Sequence, residues 1–158
     1  MAAADLDGDG RPELLAVGGD AALFSTSQKP AYQMRFRSSG VPAIGDIDGD
    51  GRADVVLGSQ DFGIHAIDAT GAALPGFPVA TGYRIYAGAA LGDLSGDGVL
   101  DVVIGSGDGK LHALSGGKSL PGFPLALEGR LERDVVLGDV DGDGGLDIVV
   151  ATHRAVYV

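Results

Sequence analysis

An all-β fold assembled from tandem repeats is predicted here by three observations. The first is a nine-residue acidic segment that occurs four times: Asp5-Leu-Asp7-Gly-Asp9-Gly-Arg11-Pro-Glu13, Asp46-Ile-Asp48-Gly-Asp50-Gly-Arg52-Ala-Asp54, Asp93-Leu-Ser95-Gly-Asp97-Gly-Val99-Leu-Asp101 and Asp139-Val-Asp141-Gly-Asp143-Gly-Gly145-Leu-Asp147. Their starts lie 41, 47 and 46 residues apart, the mark of an internal repeat. The second is that other landmarks keep this period. Leu74-Pro75-Gly76-Phe77-Pro78 returns as Leu120-Pro121-Gly122-Phe123-Pro124, and Ile64-His65-Ala66-Ile67 returns as Leu111-His112-Ala113-Leu114. The third is that the apolar runs between landmarks are short and rich in β-branched residues, with no helical spacing.

The unit from 41 to 82 shows the scheme most clearly. Val41 to Gly45 reads as a strand entering the acidic loop, and Val55-Val56-Leu57 as one leaving it, stopped by Gly58-Ser59. Gly63 to Ile67 supplies a third strand, closed by the turn residues Asp68 to Gly71. Pro75 and Gly76 stand at the two central positions of a type II turn, and Phe77 to Thr81 follows as a fourth strand. Four short strands in about 46 residues describe one blade of a β-propeller. The next unit repeats the scheme with Ala87 to Leu91, Val102 to Ile104, Lys110 to Leu114 and Phe123 to Leu127. In the first unit Gln28 to Ser39 replaces the Leu-Pro-Gly-Phe-Pro turn, and the fourth stops at Val158 in its third strand. The chain therefore reads as one partial β-propeller domain, residues 1–158, with blades near 1–40, 41–82, 83–128 and 129–158. Rings of this kind close with roughly four to eight blades, and an open arc exposes apolar faces at both ends. Either the natural chain is longer or two copies complete one ring as a homodimer.

Composition narrows the classes of function. The 158 residues suit one domain, and 28 Gly without a three-residue rhythm suit tight turns between strands. The net charge of −11 repels a phosphate backbone, so nucleic acid is not an expected partner. No run of 18 apolar residues is present, so no membrane insertion is expected, and Met1-Ala-Ala-Ala is followed at once by Asp5 rather than by the basic segment and apolar stretch of a leader peptide. Without Cys there are no disulfides and no thiolate metal sites. Of the 22 acids, 15 lie in the four repeated segments, so the charge belongs to the loops.

Carboxylates at positions 1, 3 and 5 of a tight loop can converge on one point, and Gly at position 6 permits the backbone reversal. The spacing matches the first half of an EF-hand loop, although a last carboxylate arrives at position 9 instead of 12 and strands flank the loop. Hard oxygen donors in that number suit Ca²⁺, where Zn²⁺ prefers His or Cys. The alternative is a solvated acidic turn. Two carboxylates about 4 Å apart repel by roughly 4 kcal/mol at an effective dielectric of 20. Four loops of such repulsion are hard to reconcile with a marginal stability of about 5–15 kcal/mol. Up to four Ca²⁺ are expected, one per loop, with the third site weakened by Ser95 and the first preceded by a short strand.

These residues resemble the FG-GAP and VCBS-type calcium-binding repeats that build integrin α-subunit propellers and many bacterial surface and secreted proteins. The resemblance rests on the acidic loop followed by Val-Val-Leu-Gly or Val-Val-Ile-Gly and on Ala89-Ala90-Leu91-Gly92-Asp93. Gly58-Ser59 and Gly105-Ser106 stand where the family has Gly-Ala-Pro, which favours the bacterial branch. The resemblance implies ion ligands from the carboxylates at positions 1, 3, 5 and 9, with Ser95 and Glu13 among them. It adds the carbonyls of Arg11, Arg52, Val99 and Gly145. It also implies that the ions are structural and that the opposite face meets the partner.

Other candidates carry less. His65 and His112 recur at one place in successive units, with Tyr157 at that place in the fourth, as packing residues do. Phe77 and Phe123 read as wedges between blades rather than as a carbohydrate platform. Arg35, Arg37, Arg84, Arg130 and Arg133 read as solvated surface. No Gly-x-Ser-x-Gly elbow, phosphate loop or His-Glu-x-x-His occurs. The expectation is a non-catalytic module, extracellular, at the cell surface or periplasmic, that binds a protein or carbohydrate. The alternative is the propeller part of a larger secreted enzyme such as a polysaccharide lyase.

Overall fold

The computed structural model describes residues 2–6, 10–18, 20–24, 32–34, 37–38 and 40–158, and for 2–3, 13–18, 20–24 and 32–34 it describes the backbone alone. Among the described residues every regular element is a strand. The first sheet holds β1 (Ala2–Ala4), β2 (Glu13–Gly18), β3 (Asp20–Phe24) and β4 (Tyr32–Met34) in chain order. The second holds β5 (Ala43–Gly45), β6 (Asp54–Gly58), β7 (Gly63–Ile67) and β8 (Val79–Ala80). In the third, β9 (Ala90–Gly92), β10 (Asp101–Gly105) and β11 (Lys110–Ser115) are followed by β12 (Lys118–Ser119) and β13 (Leu125–Ala126), both paired with β11. The fourth is β14 (Val136–Gly138), β15 (Asp147–Ala151) and β16 (Val156–Tyr157). All pairs are antiparallel, and no closed ring is formed among the described residues.

The repeat in sequence is a repeat in register. Ala4 pairs with Glu13, Gly45 with Asp54, Gly92 with Asp101 and Gly138 with Asp147. Each acidic loop is thus the hairpin connection between the first two strands of its sheet. Two of the strands that leave these loops, β6 and β10, are buried along their whole length, as strands covered on both sides are. Along β6, Val55 and Leu57 pack with Leu6 and Ile67, while Val56 between them packs with Val102 and Ile104 of β10. Along β10, Val102 and Ile104 face the second sheet and Val103 faces Val135 and Val150 toward the fourth. Alternation with period two therefore feeds two interfaces from one strand, and the four sheets pack in chain order. The first strands of successive sheets touch one another, β1 against β5, β5 against β9 and β9 against β14.

The segments between sheets are bound at the far ends of the sheets on either side, with the Ile85 and Leu131 N–H groups donating to the Ser59 and Ser106 carbonyls of the preceding sheet and the Arg37 and Tyr83 carbonyls accepting from the following one. Ser59 Oγ donates to the Arg37 carbonyl at 3.1 Å, and Ser106 Oγ to that of Tyr83 at 3.3 Å. The linkers then bury Ile85 and Leu131 completely. This seating explains the glycine before each serine. A Cβ on Gly58 would run into Ile85, and one on Gly105 would stand 2.6 Å from Leu131 Cβ. Gly105→Ala is expected to cost about 1–3 kcal/mol by overpacking this seat, read as a lower denaturation midpoint with unchanged slope.

The strands follow the expected positions with shortened outer members. Phe77 to Thr81 contracts to Val79–Ala80, and Phe123 to Leu127 to Leu125–Ala126. The entering strands begin later than expected, at Ala43 and Ala90. The outer strands are short because Pro78 and Pro124 lack the N–H that a strand ladder needs; both prolines follow cis peptide bonds. The turn before them is as expected. The Phe77 N–H donates to the Leu74 carbonyl at 3.1 Å with Gly76 at φ +85°, and Phe123, Leu120 and Gly122 repeat this. Phe77 and Phe123 are wedges, packed into the second-third and third-fourth interfaces respectively.

Candidate metal centres

The acidic loops are folded by their own carboxylates. In the second loop Asp46 accepts from the backbone N–H of Gly49 at 2.7 Å and of Gly51 at 2.9 Å, Asp48 from Asp50 at 3.1 Å, and Asp50 from Arg52 at 2.8 Å. Asp54, at the start of β6, reaches back to the Ile47 N–H at 3.1 Å. The third and fourth loops reproduce the scheme. Asp93 accepts from Gly96, Asp97 and Gly98, and Asp139 from Gly142 and Gly144. Asp97 accepts from Val99 and Asp143 from Gly145. Asp101 and Asp147 reach back to Leu94 and Val140. Such geometry needs left-handed backbone at positions 4 and 6, where Gly49 and Gly51 have φ of +81° and +84°. In the first loop Gly10 donates to Asp5 at 2.9 Å. Asp7 and Asp9 lie outside the described residues, and Glu13 is described by its backbone only.

These turns bring carboxylates together. One oxygen from each of Asp46, Asp48 and Asp50 lies within 4.8 Å of the others, and so does one from each of Asp139, Asp141 and Asp147. The two triads differ in membership: position 5 joins in the second loop and position 9 in the fourth. In the third loop, where Ser95 replaces a carboxylate, Asp93, Asp97 and Asp101 do not form such a triad. The position-7 residues Arg52, Val99 and Gly145 enter these networks through their N–H groups.

The donor set fits a hard cation on a further observation. Asp101 is fully buried, and its Oδ2 accepts from the N–H of both Leu94 and Ser95, yet its Oδ1 has no hydrogen-bond partner. An unpaired buried carboxylate oxygen is costly unless a cation meets it. Asp54 carries the same stress differently. Burial, with Asp48, Asp50 and Asp46 nearby, raises its pKa to about 6 against the opposing pull of the Ile47 N–H. Asp93 is held below the ordinary carboxylate range, first by the Gly98 N–H and then by those of Gly96 and Asp97.

At the other end of the sheets the hairpin turns leave a second set of residues. His65 and His112 stand in one register, opposite Leu57 and Ile104, and Tyr157 stands opposite Val150. His65 Nε2 meets both carboxylate oxygens of Asp61, at 3.1 and 3.0 Å. Burial lowers the pKa of His112, and its Nε2 has no partner. Phe62, 43% exposed, has a left-handed backbone with φ +73°. Its ring stacks on Tyr83 with centroids 6.0 Å apart, and the Arg130 guanidinium lies 5.3 Å from the Tyr83 centroid. Beside Arg130 a hollow of about 520 Å³ is lined by Asp108, Glu128, His153 and Arg154. Sequence reasoning passed over Phe62. The signal was the repeat itself, because Gly109, at φ +83°, occupies its place in the next unit. Arg35 lies outside the described residues.

No family model matches the chain, and no curated protein does. Solved structures do. The V. cholerae biofilm matrix protein Bap1 aligns over 94% of this chain and 23% of its own, at TM-score 0.69 and 22% identity. BBS1N, in a crystal of its complex with ARL6DN, aligns over 99% of this chain and 48% of its own, at TM-score 0.70 and 13% identity. The chain therefore spans less than half the length of either, and at these identities the likeness is one of all-β fold.

Proposed function

We propose that this chain is a calcium-binding β-propeller segment of the FG-GAP or VCBS kind, acting as a non-catalytic binding or adhesion module outside the cell. The observation that carries the reading is the convergence of carboxylates in repeated hairpin loops together with the unpaired Asp101 Oδ1. The ions are structural: each joins the entering strand to the leaving strand of a blade by neutralising the carboxylates between them. The fold likeness to a biofilm matrix protein and to BBS1N supports the architecture, and the former also suits adhesion.

The partner surface is assigned to the end opposite the ions, around Phe62. A phenylalanine held at a positive φ beside an otherwise equivalent glycine costs of order 1 kcal/mol or more, and such strain collects at working sites. The ring and Arg130 offer a flat apolar face beside mixed charges, suited to a protein side chain or a sugar ring. Isothermal titration is expected to record two or more Ca²⁺ per chain. Glycan and biofilm-extract arrays are expected to give binding that Phe62→Ala lowers at least tenfold while the calcium isotherm stays unchanged. Absence of any calcium heat overturns the ion reading, and full binding by Phe62→Ala overturns the assigned surface.

A further inference from the structure

We propose that the hollow between the far ends of the third and fourth sheets is a binding site for a neutral pyranose sugar. The inference rests on the binding reading above and deepens it by naming the ligand's chemistry. The repeat carries the argument, because the same place between the second and third sheets is filled by the chain itself. There the Thr81 N–H donates to the Phe62 carbonyl and the Ile85 N–H to that of Ser59. One unit on, the Leu127 N–H donates to the Gly109 carbonyl and the Leu131 N–H to that of Ser106. Gly109 therefore stands in the place of Phe62, and Gly129, two residues before Leu131, in the place of Tyr83. Both members of the stacked aromatic pair are glycine in the next unit.

The two places differ in what replaces the rings. Tyr83 lies against Gly107, where a Cβ would stand 2.8 Å from its Cδ1. The N–H groups of Ser106 and Thr152 close their hairpins alike, so His153 after Thr152 is the counterpart of Gly107. His153 lies against Gly129, where a Cβ would stand 2.8 Å from its Cε1. Ring and glycine are thus exchanged across the interface, and an imidazole takes the place of the phenol. The Phe62 ring has no such substitute. A Cβ on Gly109 would stand 2.8 Å from the Gly129 carbonyl oxygen, so the close approach of the two backbones requires glycine there. Gly109 opens instead onto the hollow of about 520 Å³, within the range of about 300–1,000 Å³ found for small-molecule sites.

The walls select the ligand. Arg130 and Arg154 bring donors while Asp108 and Glu128 bring acceptors, so the charges balance and favour neither an anion nor a cation. Two of these groups are held in place. Asp108 accepts from the N–H of Gly82 at 2.9 Å and of Lys110 at 3.0 Å, and Arg154 Nε donates to His153 Nε2 at 3.4 Å, which orients the imidazole. Hydroxyl groups donate and accept at once, and the C–H face of a pyranose can lie on the imidazole as the Phe62 ring lies on Tyr83. An aromatic side chain of a peptide suits these walls less, because Leu127 is the one apolar side chain among the described residues that line them.

Amide correlation spectroscopy of the whole chain in calcium tests this, by titration with glucose, galactose and N-acetylglucosamine. Glucuronate serves as the charged sugar and p-cresol as the aromatic side-chain probe. At least one neutral sugar is expected to shift the Gly109 and Gly129 amides at millimolar concentration. His153→Ala and Glu128→Gln, both at exposed positions, are each expected to weaken that binding at least fivefold with the calcium isotherm unchanged. No shift at those two amides with any neutral sugar overturns the proposal. So does a stronger response to glucuronate or p-cresol than to every neutral sugar, or binding by His153→Ala equal to that of the parent. Shifts confined to Phe62 and Thr81 remove the hollow and leave the surface around Phe62 standing, whereas shifts at Gly109 with none at Phe62 support the hollow and count against that surface.

Discussion

Chelating calcium is expected to lower the melting temperature of this chain by about 10–20 °C. The magnitude follows from linkage: an ion at 100 times its dissociation constant stabilises the folded state by about 2.7 kcal/mol. Two such ions supply about 5 kcal/mol, at roughly 2–4 °C per kcal/mol for a domain of this size. The second and fourth loops are the two that count, because in them three carboxylates converge within 4.8 Å. Without the ion each pair of charges at that separation repels by roughly 3–4 kcal/mol at an effective dielectric of 20, relieved by protonation, water and loop movement. Calorimetry in calcium, in EDTA, and in EDTA followed by magnesium checks this. Calcium is expected to restore the melt and magnesium to restore little of it, because magnesium sheds water reluctantly. An unchanged melt in EDTA would mean that hydrogen bonds within the loops suffice.

The periodic features were the legible ones. Four acidic segments in fixed spacing located four hairpins, and the register pairs Gly45 with Asp54, Gly92 with Asp101 and Gly138 with Asp147 as that spacing requires. The Val-Val-Leu and Val-Val-Ile runs announced short strands leaving the loops, and in the structure their alternate residues go to opposite interfaces. What escaped depends on contacts between units, which no single period contains. Pro78 and Pro124, which have no N–H to give a ladder, shorten the outer strands, and Ile85 and Leu131 dictate glycine at positions that look merely like strand ends. The site was legible as a list of oxygens but not as a geometry. Asp54 and Asp143 sit at regular positions outside the convergent triads, where hydrogen bonds to Ile47 and Gly145 orient them.

Asp54→Asn is expected to reverse its effect on stability according to whether calcium is present. Asp54 is 2% exposed, and its pKa stands at about 6, raised first by burial and then by the neighbouring carboxylates. In chelator the folded chain therefore holds this proton up to about pH 6, whereas the unfolded chain releases it near 3.8. Between those values the folded state binds more protons, so this contribution is fully present below 3.8 and is lost as pH rises through about 6. At pH 7 the ion-free protein carries a buried charge that an amide would not. Asn keeps an acceptor for the Ile47 N–H, so in EDTA at pH 7 the variant is expected to be at least as stable as the parent, and this group's part of the pH slope disappears. Calcium is expected to invert the order. The ion favours the ionised carboxylate, so its affinity for the parent climbs over the same pH interval. Losing that charge is expected to weaken binding at least tenfold, or about 1.4 kcal/mol. Denaturant melts at pH 5 and 7, with and without calcium, give the four comparisons. Equal destabilisation of the variant in both would assign Asp54 to the Ile47 hydrogen bond alone and remove position 9 from the ligand set, whereas crossing curves tie a single carboxylate to both the fold and the ion.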